Sequence, residues 1–202
     1  MSIHDAREDL RDLLNKDYRK KAALEFVCNH YGLERGDRNI LARTTFSDDV
    51  SARTRKKEVP DSSLQGEDIL IDTYNVLITV ESVLFDDPLV CDDGVVRDGR
   101  GVFGNYAIGD NTLEALGKIK EFIRKRNVAK ATFYIDKNVS KSGELASTIR
   151  DFRWGIDVDV VVSDAVDSTL RKSKGIVATA DYGIIKYIER FVDIPKSLLF
   201  SW

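Results

Sequence analysis

The residues of this sequence that are best suited to chemistry are aspartates at the ends of short apolar segments. Asp72 directly follows the apolar run of residues 69–71. Asp136 ends the segment ATFYID, and Asp181 follows the segment GIVATA. Each segment has the length and the β-branched or aromatic content of a buried strand, and a helix-like segment comes after it. Because parallel strands end at one edge of their sheet, where open α/β sheets bind ligands, these carboxylates are predicted to lie close together.

A fourth carboxylate is expected from the segment SDAVDSTL. Ser163 is predicted to cap a helix there, and Asp164 and Asp167 are alternatives for one position in the site. Asn75, three residues after Asp72, could cap the next helix or orient the carboxylate or a bound water. An aspartate or asparagine at such a place is also typical of a simple helix cap. The recurrence after three predicted strands favours a site.

Carboxylates that are held together repel one another, and each has a raised pKa unless a cation neutralises them. Oxygen ligands without histidine or cysteine favour Mg²⁺ or Mn²⁺ over zinc. His4 and His30 both lie in the N-terminal part, and Cys28 and Cys91 lack metal-like spacing. A serine nucleophile would have no imidazole base for the same reason. The predicted chemistry is therefore metal-assisted attack of water on a phosphodiester.

The elements that must hold these residues alternate between strands and helices, which predicts βαβ units and a mostly parallel sheet. The predicted fold class is α/β. Predicted strands cover residues 68–72, 131–136, 158–163 and 176–180, with a short last strand near residues 198–200. Predicted helices cover residues 111–126, 142–152, 164–173 and 182–191.

Residues 1–60 have helical periodicity throughout and are predicted to form a small all-helical N-terminal domain. The turn-rich segment of residues 60–67 is the expected boundary, and residues 61–202 are expected to form the α/β domain. The dipeptide Asp93-Gly94 predicts a hairpin, inserted at about residues 82–110 near the exit of the first strand. This insertion either serves only its own turns or lies at the rim of the site.

Two groups of polar residues are candidates for contacts with substrate phosphates. One is a basic run in a predicted fourth helix, for which a solvated helix face is the commoner explanation. The other is a loop before a predicted helix, where N–H groups and the helix dipole could hold a phosphate, or where Ser142 could serve only as a cap. The residues are Arg53, Arg55, Lys56 and Lys57 in the run and Ser140, Lys141 and Ser142 in the loop.

The composition is that of a globular protein, since 43% of the 202 residues are hydrophobic and 32% are charged. A net charge of −3 excludes a global basic field for nucleic acid, so any basic surface must be local. The N-terminal segment is charged and no apolar run has membrane-spanning length, so we expect neither a signal peptide nor a membrane partner. Two separate cysteines fit a reducing cytoplasm, which is the predicted location.

With these motifs, residues 68–192 resemble the PIN and NYN family of ribonuclease folds. In NYN members the first strand ends in an Asp-x-x-Asn motif and the fourth in a Thr-x-Asp motif. Asp72 with Asn75 matches the first motif, and Thr179 with Asp181 matches the last. The resemblance implies a PIN-like three-layer α/β/α sandwich.

The resemblance also assigns roles to residues. Asp136 matches the acid of the middle strand, and Asp167 the helix-borne acid, because its D-x-x-L context fits better than that of Asp164. Glu81 either replaces an acid that PIN members carry on a helix or has no such role, because the inserted hairpin is not typical of NYN proteins. The implied activity is that of a metal-dependent endoribonuclease, and RNA as the substrate comes from the resemblance alone. The implied catalytic and metal-binding residues are Asp72, Asp136, Asp167 and Asp181.

The whole chain also resembles the prokaryotic family called domain of unknown function 434, which implies no substrate. The alternative function is a non-catalytic PIN-like module that binds RNA or a protein.

Two other enzyme classes fit less well. A haloacid-dehalogenase phosphatase needs a second aspartate where Tyr74 stands, and a Toprim-type site would use Asp157 and Asp159 at the wrong end of their strand. The oligomeric state is left open, with a homodimer as one option.

Overall fold

Strands and helices alternate along most of the protein in its computed structural model, which describes residues 2–85, 88–99 and 106–200. The strands are β1 (Asp68–Asp72), β2 (Leu89–Val90), β3 (Val96–Arg97), β4 (Lys130–Asp136), β5 (Asp157–Ser163), β6 (Ile176–Ala178) and β7 (Arg190–Val192). The helices are α1 (Ile3–Asn15), α2 (Lys20–His30), α3 (Arg35–Thr44), α4 (Asp48–Lys57), α5 (Thr73–Phe85), α6 (Asp110–Lys125), α7 (Ser142–Asp151), α8 (Val166–Arg171), α9 (Tyr182–Ile185) and α10 (Ile194–Leu199). Among the described residues, none of these helices combines the length and the apolar composition that crossing a lipid bilayer requires.

Five of these strands form one parallel sheet in the order β5-β4-β1-β6-β7, which confirms the predicted α/β class. Ile69 and Ile71 of β1 are fully buried on one face of the sheet, and Leu70 packs on the other. Branched side chains favour a strand here because they pack well on a pleated surface that is covered on both sides.

The sheet changes its direction of growth at β1. The chain proceeds from β1 to β4 and β5 on one side and then returns to β6 and β7 on the other. Such a reversal opens a crevice beyond the carboxyl ends of the strands, and ligands of open α/β sheets bind there. In this protein the crevice lies next to Asp72 at the end of β1 and Thr179 just after β6.

Helices cover both faces of the sheet. α5, α6, α7 and α10 pack on the face that carries Ile69 and Phe133. α8, α9 and Val95 of the hairpin pack on the face that carries Leu70 and Phe191. The interior of the α/β part therefore consists of two apolar clusters, one on each side of the sheet.

The helix predicted over residues 182–191 is only partly correct. α9 ends at Ile185, and residues 190–192 form the edge strand β7. Ile184 and Ile188 have the spacing of one helix face, and both are buried in the same apolar cluster. The helix nevertheless ends between them, at Ile185. Periodicity cannot distinguish a helix from a helical turn followed by a strand in so short a segment.

The strand predicted near residues 198–200 is wrong, because α10 covers Ile194–Leu199. Asp193 caps this helix by accepting the N–H of Lys196 on its Oδ1 at 2.9 Å. Proline in the first turn adds a second start signal. These local signals outweigh the apolar content that favoured a strand.

The helix predicted over residues 164–173 corresponds to the shorter α8. Its N-cap residue is Ala165, so the prediction that Ser163 caps it is wrong. The Ser163 hydroxyl instead accepts the Ala165 N–H at 3.0 Å, which closes the turn before the helix.

The predicted all-helical N-terminal region is confirmed as α1 to α4, and buried apolar residues of α1, α2 and α3 form its own core. Asp92 of the hairpin holds this region in place. Its carboxylate accepts from Arg7 at 2.6 Å, from Arg11 at 2.8 Å and from the N–H of Phe46 at 3.2 Å. The division into a domain of residues 1–60 and a domain of residues 61–202 stays a prediction.

The Asp93-Gly94 turn joins β2 and β3 in an antiparallel hairpin, as the sequence predicts. Gly94 has a φ of 81°, which glycine adopts without strain. The insertion begins later than predicted, because α5 continues to Phe85. Residues 86–87 and 100–105 of the predicted insertion lie outside the described residues.

A buried ion pair ties the hairpin to the sheet. Asp93 accepts from Arg97 through both carboxylate oxygens, at 2.8 and 2.7 Å. The Nε of Arg97 donates to the carbonyl of Ala180 at 2.9 Å. Asp93 is fully buried and Arg97 is 6% exposed. The pair therefore fixes the hairpin against the loop that follows β6.

We expect Asp93→Asn to lower the free energy of unfolding by about 3–5 kcal/mol, because the buried Arg97 charge loses its carboxylate. Urea unfolding at pH 7 measures this loss. The control is Arg53→Ala, which removes an exposed ion pair with Asp49 and should cost less than about 1 kcal/mol. A loss for Asp93→Asn no larger than that of the control would contradict the structural role of the pair.

Candidate functional site

Hydrogen bonds join the ends of β1 and β6 across the crevice. The Thr179 hydroxyl donates to Oδ2 of Asp72 at 2.8 Å. Asn75, in the first turn of α5, accepts the N–H of Ala180 on its Oδ1 at 2.6 Å. Asn75 and Thr179 therefore fix the loop after β6 relative to the Asp72 carboxylate.

Asp181 lies at the end of this loop. Its N–H donates to the Thr179 hydroxyl at 3.1 Å, and its Oδ1 accepts the N–H of Gly183 at 2.8 Å. The second bond makes Asp181 the N-cap of α9. Asp181 thus has a capping role in the structure, and its Oδ2 has no hydrogen-bond partner among the described residues.

Burial raises the pKa of Asp72 to about 7, because its carboxylate loses contact with water in the crevice. The hydrogen bond from Thr179 lowers the pKa, and the charges of Asp181, Asp167 and Asp136 raise it. The four acids that the sequence singles out therefore interact electrostatically at one edge of the sheet. Asp72 itself is half-buried at the end of β1.

The more exposed acids of this group have local partners. Asp136 accepts the N–H of Asn138 at 2.8 Å, and Asp167 accepts from Arg171 at 3.0 Å. Within the described residues, no group of three or more His, Cys, Asp or Glu side chains is arranged so that it could hold a metal ion. The donor atoms fit Mg²⁺ or Mn²⁺ in kind, since all are carboxylate oxygens. To ligate one ion, the side chains of Asp136 and Asp167 would have to leave these partners.

Tyr74 is a residue of this region that the sequence did not indicate as part of a site. It is 7% exposed, and its buried hydroxyl has no hydrogen-bond partner among the described residues. Burial raises its pKa to about 12, and the charge of Asp136 contributes to the shift. A buried hydroxyl without a partner costs about 1–3 kcal/mol, so a ligand or water that satisfied it would stabilise the fold. A tyrosine in an apolar helix gives no such signal in the sequence.

Two further predicted acids lie apart from this hydrogen-bond network. Glu81 is buried on α5, where its Oε1 accepts from the hydroxyls of Tyr106 and Thr112. Asp164 is exposed before α8. Glu81 therefore contributes to packing between α5 and α6, and Asp167, not Asp164, is among the acids that raise the pKa of Asp72.

The basic run of α4 is only partly a free surface. Arg55 and Lys57 donate to main-chain carbonyls of the hairpin and of the segment around α9, so they hold α4 in place. Arg53 pairs with Asp49 of the same helix, and Lys56 is exposed. The role of the run in phosphate contacts stays a prediction.

The loop before α7 differs from the expected helix start. The N-cap residue is Lys141, which has a φ of 62° and no side-chain capping bond. The alternative that Ser142 caps the helix is wrong, because its hydroxyl donates to the carbonyl of Lys137 at 3.3 Å. Ser140 and Lys141 are exposed beyond the end of β4.

A pocket of about 570 Å³ opens beside Asn75 and Asp181. Its other walls come from the N-terminal helices and from the hairpin, and they carry the basic side chains of Lys20, Arg43 and Arg97. These residues are far apart in the sequence, and no motif in it indicates that they meet. The fold thus places positive charge next to the acidic edge of the sheet.

Comparisons with known proteins cover both parts of the chain. The family model described as Domain of unknown function (DUF5616) matches residues 61–197, and the one described as Protein of unknown function (DUF434) matches residues 2–57. The resemblance to family 434 is therefore confirmed for residues 2–57, and the resemblance to PIN and NYN proteins stays a prediction. The chain is 40% identical to Uncharacterized protein MJ0935 of Methanocaldococcus jannaschii over 189 residues, which are 92% of this chain and 90% of that protein. No solved structure is similar to the chain.

We expect the stability of Asp72→Asn relative to the unaltered protein to increase between pH 4 and pH 8. Because the pKa of Asp72 is raised in the folded protein, Asp72 stabilises the unaltered protein fully below its ordinary pKa of 3.8. This stabilisation is lost as the pH rises through about 7. Asparagine keeps an acceptor for Thr179 without the charge, so the relative gain should be on the order of 2 kcal/mol.

Urea unfolding across this pH range in metal-free buffer measures the difference. The control is Asp68→Asn, which alters an exposed acid at the other end of β1. Asp193, whose burial raises its pKa to about 7, is present in all three proteins and cancels in the comparison. If the free energies of unfolding of Asp72→Asn and the unaltered protein differed by the same amount at every pH, the pKa of Asp72 would not be raised in the folded protein.

Proposed function

The chain belongs to the family described as Domain of unknown function (DUF5616), and we propose that it is a metal-dependent endoribonuclease that hydrolyses phosphodiester bonds of RNA. One observation carries the proposal. Asp72 lies half-buried at the topological switch point of a parallel sheet, where burial raises its pKa and three further acids raise it more. Strongly perturbed carboxylates in such a crevice are more typical of a functional site than of a structural one.

The residues that would hold Mg²⁺ or Mn²⁺ are Asp72, Asp136, Asp167 and Asp181. A bound ion would offset the mutual repulsion of the carboxylates, lower the pKa of bound water and stabilise charge on the leaving oxygen. To bind the ion, Asp136 would have to leave Asn138, and Asp167 would have to leave Arg171.

The other residues of the site position the reacting groups. Thr179 holds Oδ2 of Asp72, and Asn75 holds the loop that carries Asp181. The pKa of about 7 belongs to Asp72 without a metal ion, and a bound cation would lower it and keep the carboxylate ionised as a ligand. The Tyr74 hydroxyl is buried and has no hydrogen-bond partner among the described residues, so a substrate oxygen could accept from it only if the site opened.

The choice of RNA rests on the resemblance to PIN and NYN proteins, together with the Asp-x-x-Asn and Thr-x-Asp residues that carry it. A five-stranded parallel sheet with helices on both faces is compatible with a PIN-like sandwich. A cytoplasmic location and a homodimeric state stay predictions from the sequence.

A non-catalytic module that binds RNA or a protein is the second candidate. The favouring observation is that no three acids in the described residues are arranged to hold a metal ion. Asp181 also caps α9 and Asp167 pairs with Arg171, which are roles that need no metal. The two candidates differ in whether a divalent ion binds at all.

We expect the purified protein to cleave single-stranded or structured RNA with Mg²⁺ or Mn²⁺ and not with chelator. Asp72→Asn should reduce the cleavage rate by at least about 100-fold, because it removes a charged group from the reacting centre. Asp68→Asn, at the opposite end of the same strand, should retain the rate. Gel assays with end-labelled RNA measure these rates.

Thermal melts with and without Mn²⁺ separate the two candidates. Binding to the folded state raises the melting temperature of the unaltered protein, and the shift should be smaller in Asp72→Asn. If Mn²⁺ shifts neither protein and no RNA is cleaved, the nuclease proposal fails and the binding module takes its place.

A further inference from the structure

The pocket beside Asp181 has a charge pattern that the proposed acid site does not use. We propose that this pocket binds a phosphate group of the substrate, with Lys20 as the principal donor. The inference rests on the proposed function for its ligand, since it identifies the phosphate as that of a nucleotide next to the scissile bond. The pocket volume of about 570 Å³ is in the range of small-ligand sites.

Lys20 is held at the pocket wall with part of its hydrogen-bonding capacity unused. Its Nζ donates to the carbonyl of Thr45 at 2.7 Å and lies 4.1 Å from the centre of the Phe46 ring. An ammonium group has three N–H donors, so two remain for a ligand. No carboxylate of the described residues forms an ion pair with Lys20. An anion in the pocket would therefore find a fixed cation with free donors.

Lys20 is partly buried, and the acids whose charges act on it, Asp92 and Asp93, are already paired with arginines. Dehydration lowers the pKa of Lys20 to about 8, and the neighbouring charge of Arg97 lowers it further. The guanidinium of Arg97 lies 5.0 Å from the centre of the same Phe46 ring. Two cations thus flank one aromatic side chain, and a bound phosphate would relieve the repulsion between them.

The other cations of the pocket are already paired, and its acids are Asp98 and Asp181. Arg97 directs three of its five N–H groups to Asp93 and to the Ala180 carbonyl, so it acts mainly through its charge. Arg43 donates to Asp98 at 2.5 Å on the opposite wall. Lys20 is consequently the side chain whose removal should affect anion binding most and the hydrogen bonds of the fold least.

The position of the pocket matches a strand of RNA that passes the acid site. Asn75 and Asp181 line the pocket, and the same two residues belong to the edge at which Asp72 lies. A phosphate on Lys20 would therefore neighbour a phosphodiester at the acids. The N-terminal helices and the α/β region each supply one wall, so the site exists only when both are docked.

The test is calorimetric binding of uridine 5′-monophosphate and of a 2′-O-methyl RNA pentanucleotide, in chelator and without divalent ions. Lys20→Met should weaken binding of both at least about tenfold, as expected when a charge-assisted hydrogen bond is lost. The control is Lys21→Met, which alters the next, exposed lysine of α2 and should leave both affinities unchanged. Uridine, which lacks the phosphate, should not bind measurably. If Lys20→Met does not fold, Lys20→Gln replaces it.

Each result decides the proposal. Equal affinities of the unaltered protein and Lys20→Met, absence of uridine monophosphate binding at millimolar concentration, or binding of uridine as tight as that of its monophosphate would each overturn it. The assay needs neither metal nor cleavage, so it is independent of the nuclease test. Lys20-dependent binding of both probes without any cleavage would leave the phosphate site standing while the proposed enzyme fails. Binding of the mononucleotide alone would support the site and count against RNA as its source.

Discussion

The partial burial of one carboxylate, Asp72, is the constraint on which the candidate site depends. The end of β1 lies between two neighbouring strands at the switch point of the sheet, where Asp72 is half-buried and burial raises the pKa of its carboxyl group. A charge in such a place is unfavourable unless hydrogen bonds or a cation compensate for it. Thr179 supplies one such bond, which lowers the pKa of Asp72, whereas burial and the charges of three other acids raise it.

A second buried charge holds the parts of the molecule together. Arg97 is enclosed by Asp93 of its own hairpin and by the Ala180 carbonyl of the loop after β6. Asp92, the residue before Asp93, binds Arg7 and Arg11 of the first helix. Adjacent acids of one tight turn therefore connect the N-terminal helices to the sheet edge. A buried ion pair adds little to net stability, but its loss is costly, so it favours one docking arrangement over others.

These two features give the sheet edge charges of both signs. Acids end β1 and β4 and follow β6, whereas Lys20, Arg43 and Arg97 of the N-terminal helices and the hairpin line a pocket together with Asp181. A net charge of −3 hides this separation, because the local field and not the total charge acts on a ligand. A phosphodiester with a metal ion carries the same two signs, which is the physical basis for the proposed function and for the proposed phosphate pocket.

The sequence by itself determined the sheet strands up to β6, the DG hairpin, the helical N-terminal region and the acids that end the strands. Those features depend on short-range patterns: apolar runs, turn residues and strand-end acids along a few consecutive positions. The prediction from the sequence was wrong at residues 186–191, where the same apolar spacing suits a helix or a turn followed by a strand, and pairing of β7 with β6 selected the second. It was also wrong at residues 198–200, where the start signals of α10 outweigh the apolar content.

Only the tertiary structure decided which side chains of the site face one another. Lys20 and Arg97 flank Phe46 because α2 docks on the hairpin, and no periodicity or spacing in the chain expresses that contact. The orphan hydroxyl of Tyr74 and the raised pKa of Asp72 likewise arise from burial, which depends on residues distant in sequence. The sequence specifies which groups can do chemistry, and the fold sets their hydration and their neighbours, because both depend on long-range packing.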